Sequence, residues 1–215
     1  MPACVADRLD PGRLAGAGAA AQAAFLVDAA LEDPMIVAIL DRLAALDLPD
    51  AALMAGAVYQ AAWNRLTGRP GGHGIKDYDV GYYDGSDLSE AGEDIVIRRC
   101  AEAFADLPAE VEVRNQARVH IWFSAKFGVE RQPLRDTEDA LRHFGSLSHG
   151  VALRPALCGT RPAVLAPCGL DEIFSGRIVP RPDHADPAGW NGKMARQKQL
   201  WPELDFVCAP VSGES

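Results

Sequence analysis

Asp77 and Asp79 stand two residues apart in the string GIKDYDVGYYD, Gly74 to Asp84. The stretch Asp77 to Tyr83 reads as a strand, and because side chains alternate faces along a strand, both carboxylates point the same way. Two convergent ionised carboxylates raise each other's pKa unless a cation neutralises them, and hard oxygen ligands of this sort favour Mg²⁺ or Mn²⁺. A third acid, Glu112, sits between Val111 and Val113 in VEVRNQARVHIW, on a predicted strand Glu110 to Arg114, and faces opposite to those valines. Pairing of the two strands would put three carboxylates on one edge. Such a cluster can hold two divalent ions about 4 Å apart, one serving an attacking oxygen and the other a leaving oxygen at phosphorus. Glu110 competes with Glu112 for the third place, being on the same face.

A phosphate-binding feature precedes the acids. The apolar run Ala51 to Ala55 reads as a short buried strand, Gly56 ends it, and Val58 to Leu66 has a helical pattern. Backbone N–H groups at such a helix N-terminus receive phosphate oxygens, and glycine permits close approach. Arg114 shares the face of Glu112, as a phosphate fork or as a structural partner for a carboxylate. Asn115, Gln116, Arg118 and His120 form a polar cluster after the strand, with Arg118 and His120 the candidates for substrate contact. On the helix after the glycine, Asn64 can orient a loop or a substrate, and Trp63 suits the core. His73, in the loop TGRPGGHG from Thr67 to Gly74, is a candidate to close over a ligand. Lys76 is expected on the face opposite the Asp pair. Arg177, Arg181, Lys193, Arg196 and Lys198 make the C-terminal region locally basic, either as a solvated face or as an attraction for phosphates or an acidic acceptor.

The elements that must position these groups alternate between helix and strand. Two helices, Ala19 to Leu31 and Pro34 to Leu46, open the pattern, the second with Ile36, Ile39, Leu40, Leu43 and Leu46 on one stripe, Asp33 as N-cap and Pro34 in the first turn. They make up most of an N-terminal helical segment, residues 1–50, packed on a core at 51–215. Further helices are expected at Ser89 to Asp106, Thr137 to Phe144 with Thr137 as cap, Leu170 to Phe174 and Lys193 to Leu200. Val151 to Leu157 and Ala163 to Ala166 read as strands, and Ile121 to Lys126 fits neither pattern.

Composition bounds the partners. Of the 215 residues, 21 are Lys or Arg and 30 are Asp or Glu, a net charge of −9 that disfavours a broad grip on nucleic-acid phosphate and leaves only a local contact such as a tRNA end. Five cysteines without a C-x-x-C pair fit neither a disulfide framework nor a zinc ribbon, and a reducing cytoplasm suits them. No apolar run is long enough to span a membrane.

Taken together, AGAVYQAAWNRL, IKDYDVGYYD, VEVRNQARVHIW, APCGLDEIFSGRIVPRP and RQKQLWPEL resemble a bacterial family of small predicted nucleotidyltransferases within the superfamily that has the polymerase beta-like fold. The likeness runs from about Ala51 to Leu204. It implies an α+β fold with a mixed sheet, helices on one side, and Mg²⁺ or Mn²⁺ as cofactor. It implies transfer of a nucleoside monophosphate from an NTP donor to an unidentified acceptor, with release of pyrophosphate. By resemblance, Gly56 and Ala57 cradle phosphates, Asp77 and Asp79 hold metal, and Glu112 completes the triad. The chain departs from the superfamily pattern at Ala57, where a hydroxyl or glycine is usual, and in the long loop between Gly56 and Asp77. A nucleotide-binding module without catalysis and a metal-dependent phosphohydrolase are the alternative readings.

Overall fold

The computed structural model describes residues 14–156 and 160–211. The expected strand end at Leu157, the cysteines Cys4 and Cys158, and the start of the N-terminal segment lie outside them. Helices α1 (Ala19–Ala30) and α2 (Pro34–Leu46) precede β1 (Ala52–Met54), α3 (Gly56–Leu66) and β2 (Asp77–Tyr82). There follow α4 (Glu90–Ala103), β3 (Glu110–Asn115), a single 3-10 turn (Gln116–Arg118) and α5 (Val119–Phe127). The chain continues through α6 (Thr137–Leu141), β4 (Ala152–Arg154), β5 (Ala163–Leu165), α7 (Asp171–Ser175), β6 (Arg177–Ile178), α8 (Pro187–Leu200) and β7 (Asp205–Phe206). No helix among the described residues is long and apolar enough to cross a membrane.

The main sheet has the order β3-β2-β1-β4-β5, parallel between β2 and β3 and antiparallel elsewhere, so it is mixed as expected. Its two faces differ in chemistry because the period of a strand is two. Tyr78, Val80 and Tyr82 of β2, with Leu53 and Val113, are buried on one face. That face is covered by α2 and α4. The Tyr78 hydroxyl donates to Asp33, the N-cap of α2, at 3.0 Å, and Arg42 of α2 reaches Asp106 just beyond α4. Helix α1 packs instead on α3, and Phe25 meets Phe174 of α7 edge to face, so one apolar core joins the N-terminal helices to the C-terminal third.

The other face of β2 carries Asp77, Asp79 and Gly81. A Cβ at Gly81 would collide with the sulfur of Met54 and come within 3.1 Å of Gln116 Nε2. Glycine therefore lets β1 and the chain after β3 close over this part of the sheet.

Some boundaries differ from the sequence expectation for physical reasons. Helix α3 starts two residues before Val58, because Ala55 takes a positive φ of 46° and turns the chain directly out of β1. Asp136 rather than Thr137 caps α6, accepting from Asp139 N–H, while Thr137 is buried and bonds to Asp50. The last helix begins six residues before Lys193, with Asp186 accepting from Gly189 N–H and Pro187 in the first turn. Ile121 to Lys126 is helical, inside α5, with Phe123 buried while Ile121 and Trp122 stay exposed.

A knot of polar and aromatic contacts ties α8 to α3. Asn64 is buried, its amide donates to His73 O at 2.9 Å, and its carbonyl accepts from Trp201 Nε1 at 3.0 Å. Gln197 donates to the Tyr59 hydroxyl at 3.1 Å. Gly74 closes the loop at φ 74°, where a Cβ would sit 2.5 Å from the Trp201 ring. Gly74→Ala meets both a left-handed backbone and an overfilled core, and is expected to cost about 2 to 4 kcal/mol. A thermal melt should fall by about 5 to 12 °C; a melt within a degree of wild type would mean that the loop does not hold α8 in place.

Candidate active site

The acids come together through strand register. In the parallel pair, Asp77 lies beside Glu110, Asp79 beside Glu112, and Gly81 beside Arg114. Met54 of β1 lies on the other side of Asp79. Asp77, Asp79 and Glu112 thus occupy adjacent positions on one face, as the alternation of Val111 and Val113 around Glu112 required. Glu112 is partly buried and its charge acts on Asp79, whereas Glu110 is exposed beside Asp77. Of the two competitors, Glu112 is the acid that faces the centre.

Asp79 lies between the other two acids in charge as well as in place. Burial, then the charges of Asp77 and Glu112, push its carboxyl up from 3.8 to about 6, and Lys193 and Arg114 offset part of that rise. Among the described residues, no three His, Cys, Asp or Glu side chains close into a metal-sized cage. The acids lie side by side on a pleated surface, which leaves their oxygens available to a ligand that carries positive charge of its own or brings further oxygens. In donor chemistry the set fits Mg²⁺ or Mn²⁺: all three side chains offer hard carboxylate oxygens, and their mutual repulsion is a deficit that a divalent cation would remove.

Beside the acids, β1 runs into α3 through Ala55, whose N–H bonds to Val151 O at 2.8 Å. The next two N–H groups, of Gly56 and Ala57, have no partner among the described residues, while those of Val58 and Tyr59 return to Ala55 O. Free N–H groups at the start of an 11-residue helix are a fit for anionic oxygen. The Ala57 methyl is fully buried, so position 57 contributes a backbone donor only.

Two cations face this surface. Arg114 is exposed, its guanidinium makes no ion pair or hydrogen bond among the described residues, and its charge reaches Asp79. Lys193 projects from α8, with Nζ 5.7 Å from the centre of the Tyr59 ring, and also acts on Asp79. The sequence placed Lys193 only in a general basic region. Its proximity to Asp79 depends on α8 packing against α3, which no local pattern encodes.

Other expected contacts belong to the scaffold. Arg118 is ion-paired with Glu93 of α4 and donates to Leu88 O at 3.0 Å, and Glu93 also accepts from Asn115 N–H at 2.8 Å. Arg118 is therefore a tie between α4 and the end of β3, its guanidinium committed within the scaffold. Asn64 has its amide committed at both ends, at the far end of α3 from Gly56, so the structure does not bring it together with the acids. His73 leans edge-on against Trp201 and lies within 3.4 Å of Leu200 O, so it does not close over the acids. Trp63 is fully buried and donates to Ile173 O. Lys76 is exposed and curls back to within 3.5 Å of Asp77, contrary to the opposite-face expectation, because it lies before β2 begins and escapes the strand alternation. His120 is partly buried on α5, with Nδ1 buried and unpartnered.

The chain matches a family model described as nucleotidyltransferase over residues 41–206. It is similar to a solved structure described as an NMR structure revealing a CCA-adding enzyme head domain, with 21% identity, a TM-score of 0.68, and coverage of 86% of this chain and 95% of that one. At that identity the likeness speaks for the fold. No curated protein matches.

Proposed function

The chain belongs to this nucleotidyltransferase family, and from that premise we propose that it transfers a nucleoside monophosphate from an NTP to an acceptor oxygen, with Mg²⁺ or Mn²⁺ held by Asp77, Asp79 and Glu112. The observation that carries the reading is the in-register trio around an Asp79 carboxyl raised to about 6, next to the unpartnered N–H groups of Gly56 and Ala57. Bound there, the divalent ions supply the positive charge that a triphosphate and three carboxylates together lack.

The remaining chemistry falls to the chain itself. Gly56 and Ala57 N–H donate to phosphate oxygens of the donor, and Lys193 and Arg114 hold fixed positive charge where negative charge builds at phosphorus. The acceptor oxygen forms a bond to the α-phosphorus as the bond from that phosphorus to the bridging oxygen breaks. Pyrophosphate leaves with the bridging oxygen, and the acceptor's proton passes to Glu112 or to solvent. Rigid placement on β2 and β3 supplies orientation.

The test is thermal stability with each of the four NTPs, in Mg²⁺ and in Mn²⁺, alongside phosphate analysis. A nucleotide at a hundred times its Kd is expected to add about 2.7 kcal/mol, a rise of about 5 to 10 °C, with metal present and not in its absence. No shift with any NTP would overturn the donor site. Release of inorganic phosphate from NTP without a nucleotidylated product would replace transfer by hydrolysis.

A further inference from the structure

A cleft of about 680 Å³ opens between α5, the segment 129–133, the turn 143–145 and the N-terminal part of α8. None of the three acids lines it. Lys193 does, and the same ammonium acts on Asp79, so the cleft adjoins the acidic face at that residue. Its size matches that of a small-molecule site.

Its walls carry rings and both signs of charge: four basic side chains stand against Glu130, Asp139, Asp183 and Asp186, of which Asp139 is ion-paired with Arg135 and Asp186 caps α8. Arg131 lies over the Phe123 ring with 3.8 Å from its central carbon to the ring centre. It is partly buried and makes no ion pair or hydrogen bond among the described residues. Burial pulls the Arg131 pKa down, with only the exposed Asp183 acting against it. Burial, and after it the Arg131 charge, hold the His143 ring below its ordinary range. Arg181 joins from the opposite wall, its nearest carboxylate 4.0 Å away on Asp183. Phe127 and Trp190 add ring faces. His149 lies fully desolvated beneath, stacked on Tyr59 at 4.6 Å, with Nε2 buried and without a partner.

A partly buried guanidinium without a carboxylate partner is costly unless a ligand brings the anion. The nucleoside of an NTP is uncharged, and the negative charge of the donor is concentrated in its triphosphate, which the reading above assigns to the acids' metal and the α3 N-terminus. A second place that requires an anion therefore calls for a second anionic molecule. We propose that this cleft is the acceptor site, and that the acceptor is a small molecule with a flat apolar body and an anionic group, bound by Arg131 and Arg181 with its nucleophilic oxygen toward Lys193. The proposal rests on the donor reading. It narrows the acceptor to small aromatic or cyclic anions, with transfer to an RNA 3′ end as an outcome of the test.

The test pairs two probes of nearly equal ring content, the anion 8-anilinonaphthalene-1-sulfonate and the neutral N-phenyl-1-naphthylamine, titrated by fluorescence. The sulfonate is expected to bind at least about tenfold tighter than the neutral probe. Arg131→Gln and Arg181→Gln are each expected to weaken the sulfonate by about tenfold, without lowering the melting temperature of the free protein and with its metal-dependent NTP shift left in place. Equal binding of both probes, or a sulfonate Kd unmoved in both variants, overturns the cleft as an anion site. Loss of the NTP shift in Arg131→Gln makes the cleft part of the donor site and overturns the acceptor role. Transfer of label from α-labelled NTP to RNA, unaffected by either variant, also overturns it. Failure of the donor reading shows separately, as an NTP shift absent from the wild type while the sulfonate still depends on Arg131.

Discussion

Asp79→Asn is expected to reduce nucleotidyl transfer by about a thousandfold or more while making the free protein harder to unfold. The loss follows from removing one of the three charges at the position where the cation deficit is greatest. The gain follows from linkage. The Asp79 carboxyl titrates at about 6 in the folded chain against 3.8 ordinarily. A carboxyl raised on folding contributes stability that is fully present below the unfolded value and is lost as pH rises through the folded one. Wild-type stability should therefore decline between about pH 4 and pH 6 by this contribution, and the asparagine variant should lack that decline. A shift of this size corresponds to about 3 kcal/mol at full burial, and solvent on a partly buried face reduces it to about 1 to 2 kcal/mol. At pH 7 the variant should melt about 3 to 6 °C higher, with the advantage closing toward pH 4. Thermal melts across that range, run beside a transfer assay, decide it: a variant that melts lower at pH 7, or keeps its turnover, removes Asp79 from the centre of the site.

The second large effect concerns a residue that sequence reasoning placed in the site. Arg118→Met leaves Glu93 nearly buried, its carboxylate without its cation, and should cost about 3 kcal/mol or more. The melt should fall by about 6 to 12 °C. In the double variant with Glu93→Gln, most of that loss should return, because an amide oxygen can still accept from Asn115 N–H and no charge is stranded. The NTP-dependent shift should persist in the double variant. If it vanishes there while the melt recovers, Arg118 contacts nucleotide after all.

Asp77, Asp79 and Glu112 were readable because a strand's period of two is written in the chain: Tyr78 and Val80 point one way, and Val111 and Val113 fix the phase of Glu112. Gly56 was readable as the break between an apolar run and a helical pattern. Arg118 was not, since an arginine after a strand looks the same whether it awaits phosphate or is ion-paired to a glutamate 25 residues earlier. Helix α5 was obscured because aromatic residues fall on both its buried and its exposed sides. The start of α8 was signalled by Asp186 and Pro187, but Gly189 and Gly192 dilute the helical pattern that follows. The cleft draws its walls from segments between Phe123 and Lys193, none of which carries a local sign of it.

The docking of α8 also sets an order of events during synthesis. Its hydrogen bonds from Trp201 to Asn64 and from Gln197 to Tyr59 join positions 137 and 138 residues apart. At the usual pace of translation the ribosome needs roughly ten to thirty seconds to cover that distance. For most of that interval the nascent chain contains Asp77 and Asp79 but not Lys193, and α3 lacks the helix that fastens it. The carboxylates are made early and the second of their two cations arrives late, so an incomplete chain holds an acidic face in which Arg114 offsets Asp79 without Lys193. On the proposed reading, a chain released before Pro187 would carry Asp77, Asp79, Glu112 and Arg114 and lack Lys193.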